Sequence, residues 1–168
     1  MTSTAVLTID EVNTLDRAVF VARFGGIYEQ SPWVAEAAWQ ARPFADSQAL
    51  EFAMQEAVLQ AGRTRQLVLL QAHPRLGTRL ALTGFSAAEQ AGAGLAELSP
   101  SERTELETLN DQYERKFGFP FIYAVRNAGL RAILESCRER IGADADQEFN
   151  ESLRQVFRIA GFRLADSF

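Results

Sequence analysis

The sequence predicts an all-α protein, a compact single-domain bundle of about eight helices. Three observations predict it. Hydrophobic residues recur at helical spacing along most of the chain, and capping residues or prolines precede these segments. No two segments look like paired strands. The 168 residues fit one domain, which we place at residues 1–168.

The first half of the chain predicts four helices, each marked by residue types favoured at helix ends. Serine, threonine, aspartate and asparagine cap N-termini because a side-chain oxygen accepts a free backbone N–H. Proline is tolerated in the first turn, and glycine commonly ends a helix. The predicted helices run from Asn13 or Thr14 to Gly25, from Ser31 to the residue before Pro43, from Asp46 or Ser47 to Gly62, and from Thr64 to about Ala72.

The second half predicts four more helices and one irregular segment. The helices begin at Ser86, at Ser99 with Pro100 in the first turn, at Asn127 and at about Asp146. The segment 119–125 is apolar and has no helical period, so we expect it to be buried and extended. Its backbone N–H and C=O groups have no sheet partner and need others, and a polar ligand could be one.

Composition and charge exclude several classes of protein. The chain is 47% hydrophobic and 23% charged, which is typical of globular domains and wrong for disordered ones. A net charge of −5 without a basic stripe argues against a nucleic-acid partner. No apolar run is long enough to span a membrane, and the N-terminus lacks the regions of a signal peptide. A single cysteine, Cys137, excludes an internal disulfide and favours the reducing cytoplasm.

His73 is the only histidine, and its position makes it a candidate for proton transfer. It follows the apolar run 67–70 and directly precedes Pro74. The residue before a proline is disfavoured in the α region, so His73 should lie where a buried helix ends and the chain turns. Imidazole is the side chain that titrates nearest neutral pH. A core or capping histidine is the structural alternative.

Four other polar residues permit a structural and a functional interpretation. Ser86 and Glu89 have the spacing of a capping box. Alternatively they lie at a helix N-terminus, whose free N–H groups and dipole favour a bound carboxylate, with Gln90 adding a donor and an acceptor. Arg163 is either a structural charge or a fork that binds a carboxylate.

Metal and cofactor sites are not indicated. One histidine and one cysteine cannot form a usual zinc site. The sequence has no phosphate-binding loop and no nucleophile elbow. We therefore expect neither a metal nor a cofactor.

Six motifs in order resemble the family of 2-oxo-4-hydroxy-4-carboxy-5-ureidoimidazoline (OHCU) decarboxylases, enzymes of urate and purine breakdown. Each motif is weak alone, but together they span almost the whole chain in the order of the family. The loop 77–85 is short compared with that of some animal members. The motifs are Phe24–Glu36, Arg42–Phe44, Ala72–Gly77, Ser86–Leu95, Leu109–Phe121 and Arg163 in the last predicted helix.

The resemblance implies a function and a set of site residues. The function is cofactor-independent decarboxylation of OHCU to (S)-allantoin by a homodimer; the cytoplasm is expected from the single cysteine and the lack of a targeting signal. His73 would be the catalytic acid/base and Glu89 its catalytic partner. The implied substrate contacts are Pro74, Ser86, Gln90, Phe121, Ile122, Tyr123, Ala124, Val125 and Arg163. The alternative is a non-catalytic helical module that binds ureides or purines, which would need Arg163 and Gln90 but would not need His73.

Overall fold

The computed structural model describes residues 6–78 and 84–168, and all regular secondary structure in these ranges is helical. This confirms the predicted all-α class. Residues 79–83 of the predicted loop 77–85 lie outside the described ranges, as do residues 1–5. The described helices are α1 (Ile9–Thr14), α2 (Arg17–Phe24), α3 (Trp33–Trp39), α4 (Ser47–Gln60), α5 (Arg63–Gln71), α6 (Gly84–Gly92), α7 (Pro100–Phe117), α8 (Leu130–Ile141) and α9 (Ala145–Ala165).

The chain folds into two compact units. The first comprises the residues up to Leu69 together with Phe157–Phe168, and the second runs from Leu70 to Val156. The first unit holds α1 to α4, and the second holds α6, α7 and α8; the unit boundaries fall within α5 and α9. Among the described residues, no helix has the length and apolar character that a membrane crossing requires.

The N-terminal region holds one helix more than predicted. Thr8 and Glu11 form a capping box that begins α1. The Asp16 side chain then caps α2. The predicted start of the first long helix at Asn13 or Thr14 is therefore wrong. Those two residues end α1, and a non-helical break separates α1 from α2.

Two other predicted caps are also wrong. The Ser31 hydroxyl donates to the Glu29 carbonyl at 2.8 Å and does not cap α3, which begins at Trp33. Asn127 adopts a left-handed conformation with φ 63°, and Gly129 occupies the N-cap position of α8. In both places the polar side chain lies in the preceding turn, where short polar residues compete for backbone hydrogen bonds.

The predicted ends of α4 and α7 are confirmed. Asp46 caps α4 through its side chain. Ser99 and Glu102 form the capping box of α7, with Pro100 in the first turn. Gly118 ends α7 in the left-handed conformation, with φ 80°. These signals are local, so the sequence alone reveals them.

Aromatic contacts hold the segment 119–125 in the second unit. The ring of Tyr113 on α7 meets the edges of Phe119 and Phe121, with centroids 5.9 and 5.3 Å apart. Phe119 makes a further edge contact with Phe149 on α9. Such pairs add about 0.5–1.5 kcal/mol each beyond the burial of their area. The segment is non-helical and largely buried, as predicted.

Candidate active site

His73 lies just beyond the end of α5, where the chain turns. α5 ends at Gln71, and the backbone N–H of His73 donates to the carbonyl of Leu70 at 3.2 Å. His73 is buried, with 8% of its surface exposed. This is the placement that the following proline predicts. A nearly buried imidazole on a fixed turn has a defined direction and limited access to water, both useful for a directed proton transfer.

Gly77 fixes the turn that follows His73. Its φ of 72° is left-handed, and an added Cβ would lie 2.6 Å from the Cδ2 atom of Leu106. Its N–H donates to Oε1 of Gln90 at 2.8 Å, and its carbonyl accepts from Nη1 of Arg103 at 2.8 Å. Glycine therefore suits this position in conformation and in space.

Helix α7 holds the rest of the same turn. The Asn110 amide donates to the carbonyl of Leu76 at 3.0 Å. Arg75 forms ion pairs with Asp111 at 2.8 Å and with Glu114 at 2.6 Å. Arg75 is more than a third exposed on its side chain, so these pairs contribute little to stability and mainly orient the turn.

Ser86, Glu89 and Gln90 share one face of α6. α6 begins at Gly84, so Ser86 is its third residue and the interpretation of Ser86 and Glu89 as a capping box is wrong. Ser86 and Gln90 are four residues apart and both buried, and Glu89 beside them is half-buried. The Gln90 amide also lies 3.4 Å from the Arg75 carbonyl, so Gln90 links this face to the turn after His73.

Two side chains bind the backbone of the segment 121–125. Nη1 of Arg140 on α8 donates to the carbonyl of Ile122 at 2.7 Å. The N–H of Ala124 donates to Oε1 of Gln155 on α9 at 3.0 Å. Both residues escaped the sequence analysis. The available signal was a polar residue on a buried helical face, since Gln155 lies four residues before the apolar and buried Ile159.

Arg163 belongs to the first unit, whereas the other predicted site residues belong to the second. Its side chain is 2% exposed. Nη2 lies 3.1 Å from Oε2 of the equally buried Glu29, and Nη1 donates to the carbonyl of Ile27 at 3.1 Å. The guanidinium therefore has a structural ion pair, and its role as a substrate contact stays a prediction.

Among the residues that the structure describes, acidic, histidine and cysteine side chains do not form a metal site. In the ranges 6–78 and 84–168, no group of three or more such residues is placed to hold an ion.

Comparison with known proteins identifies close relatives. The sequence model of the OHCU decarboxylase family matches residues 13–165, and this match runs through both units. An OHCU decarboxylase of Haloferax volcanii is 46% identical over 162 residues and 96% of each chain. That of Halalkalicoccus jeotgali is 42% identical over 95% of this chain and 91% of the relative. A crystal structure of (S)-allantoin synthase matches 96% of this chain with a TM-score of 0.80 and 31% identity; this chain spans 54% of that longer one.

Replacing Gly77 with alanine tests how firmly the turn after His73 is fixed. We expect Gly77→Ala to lower the free energy of unfolding by about 1–3 kcal/mol, the usual cost of a strained backbone position. Denaturant unfolding measures it. Gly118→Ala shares the positive φ but has open space around the new methyl group, and Gly92→Ala has open space without a positive φ. A Gly77→Ala protein as stable as Gly92→Ala would contradict the expectation.

Proposed function

Because the chain belongs to the OHCU decarboxylase family, we propose that it decarboxylates OHCU to (S)-allantoin in urate breakdown, with His73 as the acid/base. The family predicted from the sequence is confirmed. The observation that carries the assignment of His73 is its placement, buried at the end of α5 with the next turn fixed by Gly77 and Gln90. The family match through both units supports one domain over residues 1–168.

The chemistry of the substrate explains what the protein must supply. OHCU carries a carboxylate and a hydroxyl group on one ring carbon, next to a C=N bond. When CO₂ leaves, the electron pair of the broken C–C bond flows into that C=N bond. A proton must then reach one face of the ring carbon that carries the ureido group. The substrate is its own electron sink, so the protein acts by positioning, by stabilising the anionic intermediate and by directing one proton.

The proposed roles follow from that chemistry. His73 takes the hydroxyl proton or protonates the intermediate. Glu89 orients His73 and accepts hydrogen bonds from the ureido group. Ser86 and Gln90 lie on the same face of α6 as Glu89, which supports a shared role in substrate contact. Pro74 forms part of the pocket wall.

The remaining proposals concern the backbone segment, the assembly and the compartment. The backbone of residues 121–125 binds the substrate ring. The protein acts as a homodimer, as the family resemblance implies, and in the cytoplasm, which its single cysteine favours. Sedimentation velocity at micromolar concentration should show a species of about twice 18.6 kDa. A monomer throughout that range would refute the dimer.

Substituting His73 and Glu89 tests the catalytic assignment. His73→Asn retains a polar side chain that cannot exchange a proton near neutral pH. We expect it to fold and to lose about 10²–10⁴-fold in kcat, the usual worth of acid–base help. Glu89→Gln retains the shape without the charge and should also be slow. Circular dichroism of allantoin formed from freshly generated OHCU measures the rate and the handedness of the product.

Two controls make the test specific. Glu107→Gln changes an exposed glutamate on α7 and should match the wild type. Heat-inactivated protein should give only the racemic product of spontaneous decay. Racemic allantoin formed in the presence of folded wild-type protein would overturn the proposed function. Full stereospecific turnover by both His73→Asn and Glu89→Gln would remove the proposed mechanism.

Arg163 requires a separate test because its guanidinium already binds Glu29. Arg163→Lys keeps the charge but loses the bidentate fork. We expect KM to rise about tenfold to a hundredfold, as for a lost hydrogen bond to a charged group. Glu29→Gln is the matched variant, since it weakens the same ion pair from the other side. Equal losses of stability with unchanged KM in both variants would make Arg163 purely structural.

A further inference from the structure

Arg140 contacts two successive residues of the segment that the proposed function assigns to the substrate ring. Nη1 donates to the carbonyl of Ile122 at 2.7 Å. The guanidinium carbon lies 4.6 Å from the ring centroid of Phe121, within the range of a cation–π contact. The segment has no strand to pair with among the described residues, so these contacts replace those of a β-sheet.

Arg140 is itself held in place by a buried network. Its guanidinium lies 2.6 Å from Oε1 of Glu148, and Nη2 donates to the hydroxyl of Ser152 at 3.2 Å. The Tyr113 hydroxyl donates to the same Glu148 oxygen. Burial raises the pKa of Tyr113 above its usual range, so the phenol keeps the proton that it donates. The side chains of Arg140 and Glu148 are 10% and 2% exposed.

A buried ion pair of this kind is a poor source of stability. Removing two charges from water costs several kcal/mol each, and an apolar pair of similar volume is often as stable. What the arginine offers instead is a planar, rigid set of donors. Nε and Nη2 bind Glu148 and Ser152, and these contacts orient Nη1 towards Ile122.

Because each peptide unit is planar, fixing the Ile122 carbonyl also fixes the direction of the Tyr123 N–H. The Ile122 carbonyl and the Tyr123 N–H belong to one trans peptide unit, so they point in opposite directions. The Ala124 N–H, bound by Gln155, shares the next peptide unit with the Tyr123 carbonyl. Fixing the Ile122 carbonyl and the Ala124 N–H therefore directs the N–H and C=O of Tyr123 away from Arg140 and Gln155. In an extended residue these two groups lie on one side of the chain, where a donor and an acceptor match the adjacent C=O and N–H of a cyclic amide or ureide.

We propose that Arg140 is a positioning residue for the decarboxylation, which together with Gln155 directs the backbone N–H and C=O of Tyr123 at the substrate ring. This inference rests on the proposed function. Glu148 acts through Arg140 by fixing its orientation. Neither side chain needs to touch the substrate, so both act on binding more than on the chemical step.

The main experiment replaces Arg140 and measures KM and kcat separately. Arg140→Lys keeps the charge and loses the fork, and Arg140→Ala removes the side chain. We expect KM to rise about tenfold or more in both, the effect of losing a hydrogen bond to a charged group, with a smaller change in kcat. Arg138→Ala is the matched control on α8, because Arg138 pairs with Glu105 outside the segment 121–125.

Chemical rescue separates positioning from general destabilisation. Arg140 lines a cleft of about 500 Å³, together with acidic residues that include Glu148 and Glu151. Removing the Arg140 side chain therefore opens its position to a small cation that enters the cleft. Millimolar guanidinium should lower the KM of Arg140→Ala towards the wild-type value and leave Arg140→Lys and the wild type unchanged. A merely structural ion pair predicts early melting without this specific recovery of KM.

The outcomes are distinct. Folded Arg140 variants with wild-type KM overturn the inference, as does a raised KM that guanidinium does not lower. Should the Arg140 variants fail to fold, Gln155→Met decides, because it removes the acceptor of the Ala124 N–H at similar volume. A wild-type KM in folded Gln155→Met would then overturn the inference. Wild-type protein in the same assay reports on the proposed function itself, so its failure is seen separately.

Discussion

A buried backbone N–H or C=O group must have a hydrogen-bond partner, and in this chain that requirement shapes both the turn after His73 and the segment 121–125. Neither the turn 75–77 nor the segment 121–125 is helical. Their backbone groups therefore bind side chains from neighbouring helices. Gln90, Arg103 and Asn110 serve the turn, and Arg140 and Gln155 serve the segment. The helices therefore supply rigidly placed polar partners for both irregular stretches.

This arrangement explains why so many polar side chains are buried in the second unit. An unpaired buried polar group costs about 1–3 kcal/mol, so a buried irregular backbone group needs a polar partner, whose other polar atoms then need partners as well. Asn110 is an exception, because its Oδ1 is buried without a hydrogen-bond partner among the described residues. Gln155 shows how one buried hydrogen bond requires another. Its oxygen accepts from Ala124, and its amide nitrogen donates to Glu151 at 2.8 Å. A polar network of this kind fixes one conformation more than it adds stability.

Structural features that depend on a few neighbouring residues could be predicted from the sequence. Hydrogen bonds between residues far apart in the chain could not. The proline after His73 predicted the turn, and Ser99 with Pro100 predicted the start of α7. The start of α6 was missed because Ser86 has the residue type of a cap but lies on the buried face. The partner of Ile122 lies 18 residues away and that of Ala124 lies 31 away, at distances that no local pattern encodes.

Because the substrate supplies its own electron sink, what the protein must provide is hydrogen-bonding groups whose positions and directions are fixed. Backbone N–H and C=O groups meet that need well when their peptide planes cannot rotate, because groups that are already oriented lose little conformational entropy when the substrate ring binds. A flexible loop would have to become ordered each time that a substrate binds. The buried pair of Arg140 and Glu148 is then best understood through the peptide plane that it orients, since its own contribution to stability is small.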